Sequence, residues 1–249
     1  MKGNSMKALR FFFTFIFLIG INGTIFSQDA DEVVNKHIKA IGGLEKIQAL
    51  KTLKFTGKFS AGGMDVTFTQ TFKRPLMSLM EATIQGMTMK QAFDGTQGWM
   101  INPFTGKKDP DLMPKDQEKA FKKNSDFEGQ LVNYKEKGST IELIGKEDFE
   151  GTQVFNLKLT DKEGDITNYY FDAETFLIVK QADKMKFESK DVNTVSLLSD
   201  YKSVEGVMMP FSMEVNMSES PMGSQKITIE KWEANIPIDD SIFKMPAKN

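Results

Sequence analysis

Alternation at period two dominates this chain from Leu53 onward. Met64, Val66, Phe68 and Phe72 alternate with Asp65, Thr67, Thr69 and Thr71, and Met87, Met89 and Phe93 with Thr88, Lys90 and Ala92. Phe211, Met213, Val215 and Met217 alternate in the same way with Ser212, Glu214, Asn216 and Ser218. Successive side chains of a strand point to opposite faces, so each run is a half-buried strand with one apolar face. Turn residues punctuate the runs: Gly62-Gly63, Gln85-Gly86, Asp94-Gly95, Glu150-Gly151, Glu205-Gly206 and Ser220-Pro221. About ten or eleven such runs at hairpin spacing predict an antiparallel meander curled into a barrel or half-barrel, mainly β with few helices. No composition shift divides the chain, so residues 28–249 read as one domain.

Two segments break the period. From Asp29 to Leu50, Val33, Val34, His37, Ile38 and Ile41 recur at helical spacing, and Gly42-Gly43 interrupts before a short second turn. From Asn102 to Asp116 the chain reads NPFTGKKDPDLMPKD, and Pro114 then opens a short helix. A proline-rich loop and a helix inside a strand meander must lie over the sheet or across its mouth.

Residues 1–27 have the layout of a secretory signal peptide. Lys2, Lys7 and Arg10 precede the apolar run FFFTFIFLIGI, and Ser27 stands before an acidic start. The run is shorter than the roughly 20 residues that span a bilayer, so the expectation is cleavage after Ser27 and no permanent membrane anchor. No cysteine is available for N-terminal lipidation, which predicts a soluble periplasmic protein.

Composition narrows the chemistry. With no cysteine and one histidine, disulfides, thiol nucleophiles and Cys-ligated metals are impossible, and any triad or multi-histidine metal site would have to use His37 alone. His37 sits on an apolar helix face without ligand-spaced neighbours and reads as structural. Ser199 to Lys202 fits S-x-x-K, but neither companion motif occurs. No nucleotide-binding or hydrolase fingerprint is present, so neither enzymatic activity, nor a cofactor, nor a metal is expected. The leader takes three basic residues and no acid, leaving 29 Lys+Arg against 34 Asp+Glu, and no basic stripe for nucleic acid appears.

Methionine and arginine are used unusually. Fourteen of the 16 Met follow Ser27, many on the strand faces, among them Met80, Met100, Met185 and Met209. Unbranched, polarizable methionines fit either ordinary core packing or a plastic apolar cavity. Trp99 and Phe104 flank an Asn102-Pro103-Phe104 turn, and either fits the core as well as a site. Arg74 is the only arginine after Ser27, just before Pro75. Its planar fork suits carbonyl or carboxylate groups that a lysine grips less well, although a chance surface arginine is the plain alternative.

Phe72-Lys73-Arg74-Pro75, then Phe93-Asp94-Gly95-Thr96 to Trp99, then Asn102-Pro103-Phe104, resemble the motifs of the periplasmic lipoprotein carrier family LolA. Asp240 to Pro246 resembles that family's closing segment. The resemblance implies a curved antiparallel half-barrel with helices as a lid over an apolar cavity for the acyl chains of lipoproteins or other lipids. It implies that Arg74 hydrogen-bonds to lid backbone and keeps the empty carrier closed. The ligand-binding residues expected on these grounds are Arg74, Met64, Val66, Phe68, Phe72, Met87, Met89, Phe93, Trp99 and Phe104. The implied protein is a monomer that meets an inner-membrane exporter and an outer-membrane acceptor. The alternative is a LolA-like lipid sensor or envelope-assembly partner without transfer activity.

Overall fold

The computed structural model describes residues 29–61, 64–187, 190–218 and 223–248. The expected leader lies outside them, as do the side chains of Met64 and Met185. Three α-helices are described: α1 (Ala30–Ala40), α2 (Leu44–Ala49) and α3 (Lys115–Asn124). Thirteen strands follow in chain order: β1 (Thr52–Ala61), β2 (Met64–Lys73), β3 (Met77–Ile84), β4 (Met87–Asp94), β5 (Gly98–Ile101), β6 (Asp111–Leu112), β7 (Thr140–Phe149), β8 (Thr152–Thr160), β9 (Ile166–Asp172), β10 (Ile178–Phe187), β11 (Lys190–Val204), β12 (Val207–Met217) and β13 (Gln225–Ala234). The count exceeds the expected ten or eleven because β5 and the two-residue β6 are too short to show alternation.

All thirteen strands form one antiparallel sheet in the order β6-β5-β4-β3-β2-β1-β13-β12-β11-β10-β9-β8-β7. The β1–β13 pair, in register at Leu53 and Ala234, joins two hairpin meanders, and the terminal strands β6 and β7 stay unpaired with each other. The sheet is therefore not closed into a barrel. It is a curved half-barrel, as the alternation and turn spacing predicted.

Cross-strand register sorts side chains into two faces. One row of the inner face runs Leu53, Phe72, Ser78, Phe93. Helix α1 packs on this face over β8 and β9, burying Val33 and Val34 with Leu157, Leu159, Tyr169 and Phe171. Helix α2 buries Ile47 beside Val132 and Val207. Helix α3 lies at the other end, where Glu118 accepts a 2.9 Å hydrogen bond from the Gly98 amide. The outer face is mostly solvent-facing, but the C-terminal segment crosses it and buries Phe243 with Leu79, Ala92 and Trp99.

Gly42 fixes where α1 ends. Its φ is +124°, and a Cβ there would stand 2.3 Å from the Gly206 carbonyl oxygen. That close approach lets the Ile41 carbonyl accept from the Met208 amide at 2.9 Å, tying the helical layer to β12. Gly42→Ala is expected to lower stability by about 2 kcal/mol or more, through the positive φ and the forced separation. Urea unfolding checks this, and an unchanged midpoint would show that the β11–β12 turn is free to move.

Candidate functional site

The inner face carries a half-covered apolar trough. Phe55 lies 4.4 Å from Trp232 between ring centroids, 5.7 Å from Phe68 and 6.3 Å from Phe72. Phe68 reaches Phe59 at 5.8 Å, and Phe72 reaches Phe127 of the covering layer at 6.0 Å. A continuous series of rings thus runs from the uncovered end of the sheet to the lid. Gly57 makes room for it, because a Cβ there would meet the Phe68 ring at 2.9 Å and the Thr228 carbonyl at 2.7 Å.

Methionines flank the rings. Register places Met80, Met87, Met89, Met100, Met209, Met213 and Met217 on the same face. Most are half-buried, and Met87 and Met217 are 40% and 45% exposed. Of the residues singled out in the sequence, Val66, Phe68, Phe72, Met87, Met89 and Phe93 all share this face. Val66, Phe72 and Phe93 are buried in its floor, while Phe68, Met87 and Met89 meet solvent.

Two expected residues fall elsewhere. Trp99 pairs with Ala92, one residue out of phase with Phe93, so it projects from the outer face. It is 1% exposed and its Nε1 donates to the Phe243 carbonyl at 2.6 Å, so it anchors the C-terminal segment and does not line the trough. Phe104 is exposed on the 3-10 turn Pro103–Thr105 beyond β5, off the strand rows. Sequence reading missed Phe55, Phe59, Phe127 and Trp232. The alternation Leu53, Phe55, Phe59 marks the first two, but a bulge between Thr56 and Gly57 shifts the β13 parity and hides Trp232.

Arg74 clamps the covering layer. Its Nε donates to the Leu50 carbonyl at 2.5 Å and its guanidinium to the Ile47 carbonyl at 2.9 Å, both at the end of α2. Its third nitrogen pairs with Glu128, and the guanidinium carbon stands 4.9 Å from the Phe127 ring centre. One arginine therefore joins β2 to α2 and to the loop after α3. Only a planar fork with several donors serves all four partners. Other ties close the same layer: Ser78 and Ser125 hydroxyls at 2.6 Å, Lys123 to Asp161 at 2.8 Å, and Asp31 to Tyr134 and, at 2.9 Å, to Lys135.

A cavity of about 430 Å³ lies between this layer and β10–β12. Gln181, Asp183, Thr194, Ser196, Val192 and Met217 form its sheet side, with Gln130 and Lys123 opposite. Nearby, burial pushes the Tyr169 hydroxyl pKa well up, with Asp183 adding to the effect.

His37 is structural. It is 6% exposed, its Nδ1 donates to the Phe176 carbonyl at 2.8 Å, and its ring meets Phe171 edge-on at 5.1 Å. Burial pushes its pKa down to about 4, against the opposing pull of the Phe176 carbonyl. Among the described residues, no cluster of three or more His, Asp or Glu could hold a metal ion, and no helix is long and apolar enough to cross a membrane.

With this geometry in hand, solved structures place the architecture. A DUF1329 family protein from Desulfovibrio piger superposes with a TM-score of 0.59 at 14% identity, covering 88% of this chain and 98% of that one. A LolA-superfamily protein from Nitrosomonas europaea gives 0.55 at 12% identity, with 81% and 95% covered. The fold is LolA-like. A domain described as an outer-membrane lipoprotein-sorting protein from Vibrio parahaemolyticus shares the LolA-like fold with a TM-score of 0.56 at 10% identity, covering 86% and 97%. No family model and no curated protein matches the chain.

Two predictions follow from the clamp and the buried histidine. Arg74→Leu leaves Glu128 without its guanidinium and should cost about 2 kcal/mol, a partly exposed site giving less than a fully buried pair. Amide exchange in α2 and residues 126–134 should quicken selectively, and uniform exchange would refute the clamp. His37 stays neutral in the fold while the unfolded chain takes up a proton below about pH 6.5. Its contribution is therefore present above that pH and lost as pH falls toward 4, by about 2 to 3 kcal/mol between pH 7 and 4.5. His37→Gln should flatten that part of the stability profile in urea titrations, and parallel wild-type and variant curves would contradict the assignment.

Proposed function

We propose that this protein is a periplasmic carrier that shelters the acyl chains of lipoproteins or other lipids in the inner-face trough on their way to the outer membrane. The observation that carries this reading is the run of rings and methionines along an incompletely covered sheet face. A surface of that kind, rimmed by a lid, suits a flexible apolar ligand of variable shape. Each buried CH₂ contributes about 0.8 kcal/mol, so two or three chains supply ample affinity, and release becomes the harder step. A lid clamped by Arg74 opposes filling and so helps release. The LolA-like fold and the secretory layout of residues 1–27 support the same reading. The mature form is proposed to act as one soluble domain without a membrane anchor and without enzymatic turnover, served by an exporter and an acceptor at the two membranes.

The test uses a fluorescent fatty acid and acceptor vesicles. Wild-type protein should bind the probe, and Phe68→Glu with Met89→Glu should weaken binding at least about tenfold, since a charge in an apolar site is strongly disfavoured. Arg74→Leu should keep binding and transfer its cargo more slowly. A wild-type protein that binds no acyl probe would overturn the proposal.

A further inference from the structure

The cavity beside the trough differs from it in chemistry. On β9, β10 and β11 the inner-face rows turn polar: Thr167 faces Asp183 and Asp183 faces Thr194, while Gln181 faces Ser196. These rows continue without a break into the apolar strands, because Thr194 pairs with Met217 and Ser196 with Val215. A chain lying along the methionines therefore reaches polar groups at this end and apolar ones at the other.

The polar end is short of donors. Asp183 Oδ1 accepts from the Thr167 hydroxyl at 2.7 Å and from Gln181 at 3.1 Å, and among the described residues Oδ2 accepts only from Gln181, at 2.9 Å. A carboxylate has about four acceptor positions, so Oδ2 retains capacity. Asp183 makes no ion pair among the described residues. On the opposite wall, Gln130 Oε1 is buried with no hydrogen-bond partner. Lys123 is engaged by Asp161 at 2.8 Å, and Lys184 is exposed. A carboxylate with acceptor capacity to spare, on the wall of a cavity of about 430 Å³ that Gln130 and the exposed Lys184 also line, calls for a cationic group with N–H donors.

We infer that this cavity is a headgroup subsite for an amphiphile bearing a primary ammonium, of the phosphatidylethanolamine kind, with its ammonium at Asp183 and its acyl chain along the trough. The subsite deepens the carrier reading and rests on it, since the chain must occupy the same trough. A primary ammonium brings both a charge and three donors to the carboxylate. A choline head has the charge without the donors, and a glycerol head has neither the charge nor the ammonium.

Lysolipids that share one acyl chain and differ only in head separate these terms. By titration of tryptophan fluorescence below the micellar range, in which Trp232 is the indole on the trough face, the ethanolamine lysolipid should bind about tenfold tighter than the choline or glycerol forms, as expected for a charge-assisted hydrogen bond. Asp183→Asn, chosen because it keeps the shape and can keep the bond from Thr167, should reduce that preference to near unity, with the ethanolamine form losing about tenfold and the choline form less. Its melting curve confirms that it is folded. Equal binding of all heads by the wild type, or a preference that survives Asp183→Asn, overturns the subsite and leaves the carrier reading intact. Failure of every lysolipid to bind overturns both. Ethanolamine alone should bind at least about tenfold more weakly than its lysolipid, and equal affinity would show a free-amine site with no role for the trough.

Discussion

A single open sheet must cover one apolar face with very little else, and this constraint governs the molecule. The described helices have 11, 6 and 10 residues, against thirteen strands. Two sheets could bury each other's faces, but a lone half-barrel has only its helices and loops to do so. Helix α1 covers β8 and β9, α2 the middle, and α3 the end near β5, which leaves the rings and methionines of β1–β4, β12 and β13 half in water. The uncovered area is therefore a consequence of element lengths as well as the basis of the proposed binding site.

The covering layer has to be held where it lies, because its apolar contacts alone are few. Helix α3 has no buried residue. Polar ties do the holding, and most reach across long sequence separations: Arg74 to Ile47, Leu50 and Glu128, Ser78 to Ser125, Glu118 to Gly98. Such contacts are either made or broken, and packed interfaces likewise have discrete arrangements. In the proposed carrier, a lid held this way would open as a unit when a ligand competes for the same space.

Much of this architecture was legible in the sequence. Alternation located the long strands, Gly42-Gly43 the break between α1 and α2, and Pro114 the start of α3, because backbone periodicity and capping are local. The inner-face residues of β2 and β4 were legible for the same reason: parity within a strand fixes the face. What failed was parity between strands. Trp99 reads as a neighbour of the Phe93 row until the hairpin register puts it opposite Ala92 and so on the outer face. Trp232 was hidden by a bulge, and Phe127 lies in a loop with no period at all. The polar cavity was invisible because Asp183, Gln181 and Gln130 come from distant positions and each looks like an ordinary solvated residue.

The lone arginine shows how composition and geometry inform each other. Thirty of the 32 basic residues are lysines, so selection or drift toward lysine is the background against which Arg74 stands. An ammonium at position 74 could pair with Glu128 as a point charge. It could not also donate in plane to the Ile47 and Leu50 carbonyls at the end of α2 while lying against the Phe127 ring. Carbonyls at a helix C-terminus lack the usual i+4 partner, and that of Ile47 has a long 3.3 Å bond from the Leu50 amide, so the guanidinium serves as a cap in trans. The same group thus completes a short helix that could not stand alone and joins it to the sheet. The stability of α2 and the closure of the lid are in this way one event.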